Sequence, residues 1–456
     1  MTDPAQASHL SAAALGRQIA AGLYDAVDVC EVFLERIAAY GDSTVFIRVT
    51  PERARSEAAA SRERHRAGRP LGPLDGVPVA WKDLFDMTGE RTTAGSQLYR
   101  EAPPAKVDAA AVSNLSAAGM VALGKVNLTE FAYSGLGLNP HFGSPRNPND
   151  AITARVAGGS SSGSGVAVAA GLAPCSIGTD TGGSVRIPAA LNGVVGLKTS
   201  ERRIPKQGCF ALSHTLDTVG PLARSVEDCI LLDAALRGEI PGRFAQANLR
   251  GLRLVVPTNV VQEDLDEAVA ANFERSLDRI SEAGAKVEHR KLDLLEEVQR
   301  VAVDYGSLTA VEAYQVHYRH IESADVDAID PRVVARILGG KTMSGRDVIE
   351  VQEARKRLAQ ELHVALAGAL LVMPTCPHTA PEAAPLDEDQ ELFHRANLKT
   401  LRNTMIGNFL GTCGLAIPNG RDPLGLPTSI LVSAPGGEDE RLLTYGRAFE
   451  RAVGAD

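Results

Sequence analysis

Aromatic residues are scarce in this chain. Phe, Trp and Tyr make up 4% of the 456 residues, and Trp81 is the sole tryptophan. A core dominated by rings is thereby excluded; packing must rest on Ala, Val, Leu and Gly, which suits close helix-on-sheet contact. Cysteine is sparse as well. Cys30, Cys175, Cys209, Cys229, Cys376 and Cys413 include no CxxC pair, which argues against a zinc ribbon or a dithiol redox centre. No stretch approaches the ~18 apolar residues of a membrane-spanning helix. The longest runs, 166–177 and 364–373, are short and broken by Gly or Pro. The opening segment MTDPAQASHL lacks the basic region and apolar core of a secretory leader. A cytoplasmic protein with reduced thiols is therefore expected. Positive charge is in deficit: 47 Lys and Arg stand against 56 Asp and Glu, a net charge of −9. Bulk attraction to nucleic acid or to an anionic membrane surface is not expected. The most basic stretch, 53–69, interleaves Arg62, Arg64, Arg66 and Arg69 with Glu57 and Glu63 and reads as a solvated helix face.

Against these absences stands an ordinary globular balance, 44% apolar and 23% charged, so a sizeable core is expected. The chain reads as α/β. Val107, Ala111, Leu115 and Ala118 share one helical face, Gly119 supplies a stop, and 120–123 reads as a buried strand. The pattern returns downstream. A strand at 252–256 is followed by the helical stripe Val269, Phe273, Leu277 and Ile280, then by Gly284 and a strand at 285–288. Such β-α-β units predict parallel strands covered by helices. Further strands are expected at 370–373 and 429–432, and Leu442, Tyr445 and Phe449 predict a closing helix. No internal repeat and no Pro-, Ser- or Gly-rich linker marks a boundary. A single domain over residues 1–456 is expected, with 1–70 as an N-terminal helical segment packed on it. Residues 292–362, more helical and more polar, are candidates for a helical cap.

The most unusual stretch is Gly158-Gly159-Ser160-Ser161-Ser162-Gly163-Ser164-Gly165, followed by an apolar run at 166–170. A second loop follows: Gly178-Thr179-Asp180-Thr181-Gly182-Gly183-Ser184-Val185-Arg186-Ile187-Pro188. Four readings compete. A flexible linker is disfavoured, because helix-like and strand-like apolar runs lie between the loops. A phosphate cradle lacks the Lys-Ser or Lys-Thr pair of a Walker loop and a strand leading into its glycines. A nucleophile elbow centred on Ser161 satisfies G-x-S-x-G, but 151–157 is irregular where a strand should precede it. The fourth reading uses the whole span. Thr181-Gly182-Gly183-Ser184 offers successive backbone N–H groups with little side-chain obstruction, the composition of an oxyanion hole with Ser184 as nucleophile beside it. Ser160 would be a second hydroxyl. The candidate base is Lys82, at the end of the strand-like run Gly76-Val77-Pro78-Val79-Ala80-Trp81-Lys82-Asp83.

The span from Gly158 to Pro188 resembles the signature segment of the amidase signature family. Gly72-Pro73-Leu74-Asp75-Gly76-Val77-Pro78-Val79-Ala80-Trp81-Lys82-Asp83 resembles that family's lysine strand. Gly124-Lys125-Val126-Asn127-Leu128-Thr129-Glu130-Phe131-Ala132, Gly143-Ser144-Pro145-Arg146-Asn147-Pro148 and Leu216-Asp217-Thr218-Val219-Gly220-Pro221-Leu222-Ala223-Arg224 resemble further segments, as does Gly425-Leu426-Pro427. The resemblance implies one large mixed sheet flanked by helices and a Ser-cisSer-Lys triad, with no metal and no cofactor. Lys82 matches the lysine and Ser184 the nucleophile. Ser160, 24 positions before Ser184, matches the cis-serine. Thr181, Gly182, Gly183 and Ser184 match the oxyanion-hole backbone. Desolvation at the end of an apolar strand would supply the neutral lysine that a base requires. Asp180 and Arg186 read as a scaffold ion pair, and His141, His214 and His378 as structural.

What the resemblance implies of function is a serine amidohydrolase that cleaves a small or medium amide, ester or carbamate through an acyl-enzyme on Ser184. It would act as a monomer or homodimer, without nucleic acid or membrane. Two alternatives stand beside it. One is the glutaminase subunit of a tRNA-dependent amidotransferase. That subunit needs an acid near the C-terminus to hold the substrate ammonium. Aligned on Asn408-Phe409-Leu410-Gly411, the position falls at Leu401, beside Arg402, with Asp387 or Glu388 as substitutes. The other is a non-catalytic binding protein on the same fold.

Overall fold

The described residues of the computed structural model, 4–242 and 244–454, form strands β1 (Phe46–Val49), β2 (Pro78–Lys82), β3 (Val121–Val126), β4 (Cys175–Asp180), β5 (Val195–Lys198), β6 (Thr218–Ala223), β7 (Arg253–Pro257), β8 (Lys286–Arg290), β9 (Leu370–Pro374), β10 (Cys413–Arg421) and β11 (Pro427–Ala434). Met1, Thr2 and Asp3 of the opening segment lie outside the described residues. All eleven strands pair into one sheet, in the order β1-β3-β2-β4-β6-β5-β10-β11-β9-β7-β8. The sheet is mixed. β3, β2 and β4 run parallel, as do β9, β7 and β8. The middle, from β4 through β6, β5, β10 and β11 to β9, is antiparallel.

Both expected β-α-β units are present. The helix Ala110–Ala117 joins β2 to β3, and Glu267–Glu282 joins β7 to β8. Gly119 and Gly284 end these helices at φ of +85° and +98°, a conformation costly to a residue with a Cβ. The first helix is shorter than its stripe predicted. It starts at Ala110, and Val107 lies outside it and is exposed. The closing helix spans Asp439–Val453 and buries Leu442 and Phe449.

The basic stretch forms the helix Pro51–Arg66, and its arginines are not simply solvated. Arg62 binds Asp25 at 2.7 Å, Arg53 binds Asp108 at 2.7 Å, and Arg64 binds the buried Asp75 at 2.6 Å. A guanidinium reaching a buried carboxylate ties this helix to the segment that leads into β2.

Between Asp293 and Leu366 lie the helices Asp293–Tyr305, Leu308–Ile321, Pro331–Lys341 and Gly345–Leu366. Ala313, Val333 and Ile337 pack with Leu84, Phe131 and Leu212, which flank the ends of β2, β3 and β6. Val333 and Ile337 each contribute roughly 2 kcal/mol by leaving water. The helical layer is thereby fixed over one end of the sheet. The six cysteines are unpaired. Among the described residues, no helix is long and apolar enough to cross a membrane.

Candidate active site

β2 and β4 are parallel neighbours, with Trp81 opposite Ile177. That register brings the residue after Trp81 beside the C-terminal end of β4. Lys82 is fully buried there. Its Nζ donates to Ser160 Oγ at 2.7 Å and to Thr179 Oγ1 at 2.9 Å. Burial pushes the Lys82 ammonium down to about 7, against the opposing influence of Cys209, Asp217 and Asp180.

Ser160 enters from the first glycine-rich loop. The Gly159–Ser160 peptide bond is cis. Backbone bonds hold it on three sides: Gly159 N donates to Gly135 O at 2.7 Å, Thr129 N to Ser160 O at 3.1 Å, and Ser161 N to Ser184 O at 3.3 Å. The last of these joins the two loops. The sequence then continues as the buried helix Ser162–Ala169.

Ser184 lies on the loop between β4 and the helix Arg186–Asn192 and keeps slight exposure, 4%. Asp180 organises that loop. Its carboxylate accepts from Gly183 N at 2.9 Å, from Arg186 Nε and a terminal guanidinium nitrogen at 3.0 Å each, and from Asn408 Nδ2 at 2.9 Å. Burial alone would raise the Asp180 carboxyl, but the Arg186 guanidinium holds it well below the ordinary range. This is the scaffold ion pair expected from sequence, and both members are fully buried. Thr181 is held separately: its hydroxyl donates to Asp217 at 2.5 Å. Asp217 also accepts from Leu212 N and Ser213 N. Gly183 has φ of +132°, and a Cβ there would fall 2.2 Å from Thr404 Oγ1.

The four expected oxyanion donors are therefore unequal. Gly183 N–H is engaged by Asp180, while no hydrogen bond engages the backbone N–H of Thr181, Gly182 or Ser184 among the described residues. Thr181, Gly182 and Ser184 line a small inner pocket of about 40 Å³ together with Tyr133, Arg336 and Leu401. Through Thr181, Ser307, Thr309 and Met405 it adjoins a wider, mostly apolar cavity of about 730 Å³. Residues of the 292–362 segment, among them Val298, Ala302 and Leu308, line the wider cavity.

Ser161, the centre of the elbow reading, is fully buried and lines neither cavity. No strand precedes it, and its hydroxyl donates to Thr179 O at 3.4 Å. The linker reading fails on the burial of both loops. His141 contacts Glu130 at 3.1 Å, His378 contacts Thr400 at 2.8 Å, and the carbonyl of His214 accepts from Lys206. Among the described residues, no group of three or more His, Cys, Asp or Glu side chains is placed to hold a metal ion.

A family model described as Amidase matches residues 28–443. This chain belongs to the amidase family. Among curated relatives, it is 38% identical to a 2-amino-5-chloromuconic acid deaminase of Comamonas testosteroni, over 88% of this chain and 87% of that one. It is 33% identical to a glutamyl-tRNA(Gln) amidotransferase subunit of Ralstonia nicotianae, over 96% of this chain and 97% of that one. A solved amidase crystal structure superposes with a TM-score of 0.86 at 33% identity, covering 98% of this chain and 100% of that one. The mixed sheet and the helices around it are the fold of this amidase family.

Several site residues of this amidase were not singled out by their own chemistry in the sequence. Thr179, the second partner of Lys82, becomes visible once β2 and β4 are paired in register. Asp217 lies in a quoted motif, but its bond to Thr181 spans 36 positions. Asp83, the residue after Lys82, forms a buried ion pair with Lys125 at 2.5 Å. Arg336 has no motif around it.

Proposed function

We propose that this amidase is a serine amidohydrolase that cleaves the carbon–nitrogen bond of a small or medium amide, with esters and carbamates as further substrates. The observation that carries the reading is the buried Lys82–Ser160 hydrogen bond beside a pocket lined by Ser184 and free backbone N–H groups.

Neutral Lys82 accepts a proton from Ser160 as Ser160 takes the Ser184 proton. Ser184 Oγ then bonds to the carbonyl carbon. The carbonyl oxygen gains charge and is held by the backbone N–H of Thr181, Gly182 and Ser184, an arrangement worth about 10²–10³ in rate per donor. Lys82 returns the proton through Ser160 to the departing nitrogen, the C–N bond breaks, and an acyl-enzyme on Ser184 remains. Water attacks it by the same relay, releases the acid and restores the serine. Asp180 and Arg186 fix the loop that carries these donors.

The amidotransferase relative favours a second reading, a glutaminase subunit that works with partner chains. Against it, Leu401 stands where the resemblance places the ammonium-binding acid, and it lines the inner pocket. Asp387 is bound to Arg332 at 2.8 Å, and neither it nor Glu388 lines either cavity. The isolated chain should hydrolyse members of a panel of aryl amides, aliphatic amides, esters and carbamates. A sulfonyl fluoride should label Ser184, as read by mass spectrometry. Turnover of glutamine alone would support the glutaminase; a label on Ser161 would restore the elbow; no label and no turnover would leave a binding protein.

A further inference from the structure

Glu312 lies on the helix Leu308–Ile321, in the helical layer over the end of the sheet, and lines neither cavity. The residue is half-buried. Its carboxylate accepts from the Ser213 hydroxyl, from the Thr215 hydroxyl and, at 3.0 Å, from Thr215 N. All three donors belong to one short turn. A carboxylate that gives up part of its water needs acceptor bonds filled, and bonds to a charged acceptor are roughly twice as strong as neutral ones. The three bonds satisfy Glu312 and tie the turn to the helix at once.

The same turn holds the aspartate behind the nucleophile loop. The Ser213 hydroxyl donates to Glu312 and accepts from Leu216 N at 3.1 Å, so its direction is set from both ends. Asp217 N donates to Ser213 O at 3.0 Å. Leu212 N and Ser213 N donate to one carboxylate oxygen of Asp217 at 2.9 Å and 3.1 Å. The other oxygen accepts from the Thr181 hydroxyl at 2.5 Å. The pairing of β4 with β6 ends at Asp180 opposite Thr218. Thr181 therefore lies just past the ladder, and its side-chain bond to Asp217 takes over where the strand bonds stop. A run of contacts leads from Glu312 through Ser213 and Asp217 to Thr181.

We propose that Glu312 is a positioning residue for the reaction at Ser184: through Ser213 and Asp217 it fixes the Thr181 N–H at the place where the carbonyl oxygen gains charge. The inference rests on the amidohydrolase reading above. A preorganised donor acts fully only when held to within about 0.5 Å of its working position. An anchor that never touches the substrate can therefore set the rate, and the helical layer joins the sheet in supporting bond-making.

The test is a double-mutant cycle with Asp217→Asn, read as kcat on an aryl amide. Glu312→Ala should lower kcat by about tenfold, less than the outright loss of an oxyanion donor would cost. In the Asp217→Asn background the same substitution should cost about twofold or less, because the link it serves is already cut. Glu312→Gln keeps one accepting oxygen and should recover part of the loss. Ser213→Ala breaks the link from the other side with a smaller change of volume. It should match Glu312→Ala, and it decides the question if Glu312→Ala does not fold. A carboxylate that merely attaches the helix predicts equal fold-losses in both backgrounds, and that result would overturn the proposal. Wild-type kcat in folded Glu312→Ala or Ser213→Ala would overturn it too. In either case turnover by wild type leaves the amidohydrolase reading standing. The rate at which a sulfonyl fluoride labels Ser184 should follow the same pattern and needs no amide. Wild type that neither turns over an amide nor takes the label removes both readings together.

Discussion

The Lys82 ammonium donates a 2.7 Å hydrogen bond to the Ser160 hydroxyl, and neither side chain is exposed to solvent. In this protonated state Lys82 is a donor to both Ser160 and Thr179 and can accept nothing. Loss of one proton reverses the sense of the Ser160 contact. Lys82 then accepts from Ser160, and the freed Ser160 oxygen can accept from Ser184. Burial sets that change at about 7.

The pH profile follows from the sign of this shift. A depressed lysine pKa means that the neutral base appears as pH rises through about 7, so amide turnover should climb from acid to mildly alkaline pH and then level off. Lys82→Met keeps most of the side-chain volume and should slow amide hydrolysis by about 100-fold or more. Ester hydrolysis should suffer less, because an alkoxide leaves without the protonation that an amine requires. A folded Lys82→Met protein with near-wild-type amide turnover would remove Lys82 from the mechanism.

Asp217 links loop position to this titration. It accepts from the Thr181 hydroxyl and lies close enough to raise the Lys82 pKa. Asp217→Asn should loosen the anchor on the Thr181 hydroxyl, and with it the placement of the Thr181 N–H, and lower kcat by about tenfold. It should also move the acid limb of the profile to lower pH, because a negative charge that favours the ammonium is gone. A lowered kcat with an unmoved limb would mean that Asp217 shapes the loop without influencing the base.

Gly183 admits a stability test. An added Cβ would meet Thr404 Oγ1 at 2.2 Å and Ile187 Cδ1 at 2.6 Å, at a φ of +132°. Gly183→Ala should lower the melting temperature by several degrees, consistent with about 1–3 kcal/mol of overpacking. It should also reduce labelling of Ser184, the next residue. Unchanged melting and labelling would show that the loop relaxes without loss.

Strands with an unbroken apolar run were legible in the sequence: β2, β3, β7, β9 and β11 lie where such runs predict them. β6 and β10 were not, because Gly220-Pro221 and Gly414 with Pro418 read locally as breakers. Their surroundings reverse that reading. A Cβ on Gly220 would fall 2.1 Å from Leu197 O, so the glycine is what permits β6 to approach β5. The glycine- and serine-rich loops stood out because their composition is rare and their chemistry local. Arg336 did not. Its place in the site depends on Tyr133 and Ser184, far away in the chain, and only the folded arrangement reveals it.

The site has two parts. Lys82 and Thr179 come from paired strands, and Ser160 and Ser184 from loops bound to each other and to those strands. Arg336, Leu401 and Met405 come from helices that rest on the end of the sheet. On the proposed mechanism, a substitution in the first part should disturb bond-making for every substrate, whereas one in the second should change which substrates fit and leave the bond-making atoms in place. Helix-borne positions are thus where this lineage can acquire a new diet in single steps, and a library confined to Arg336, Leu401 and Met405 samples that route directly.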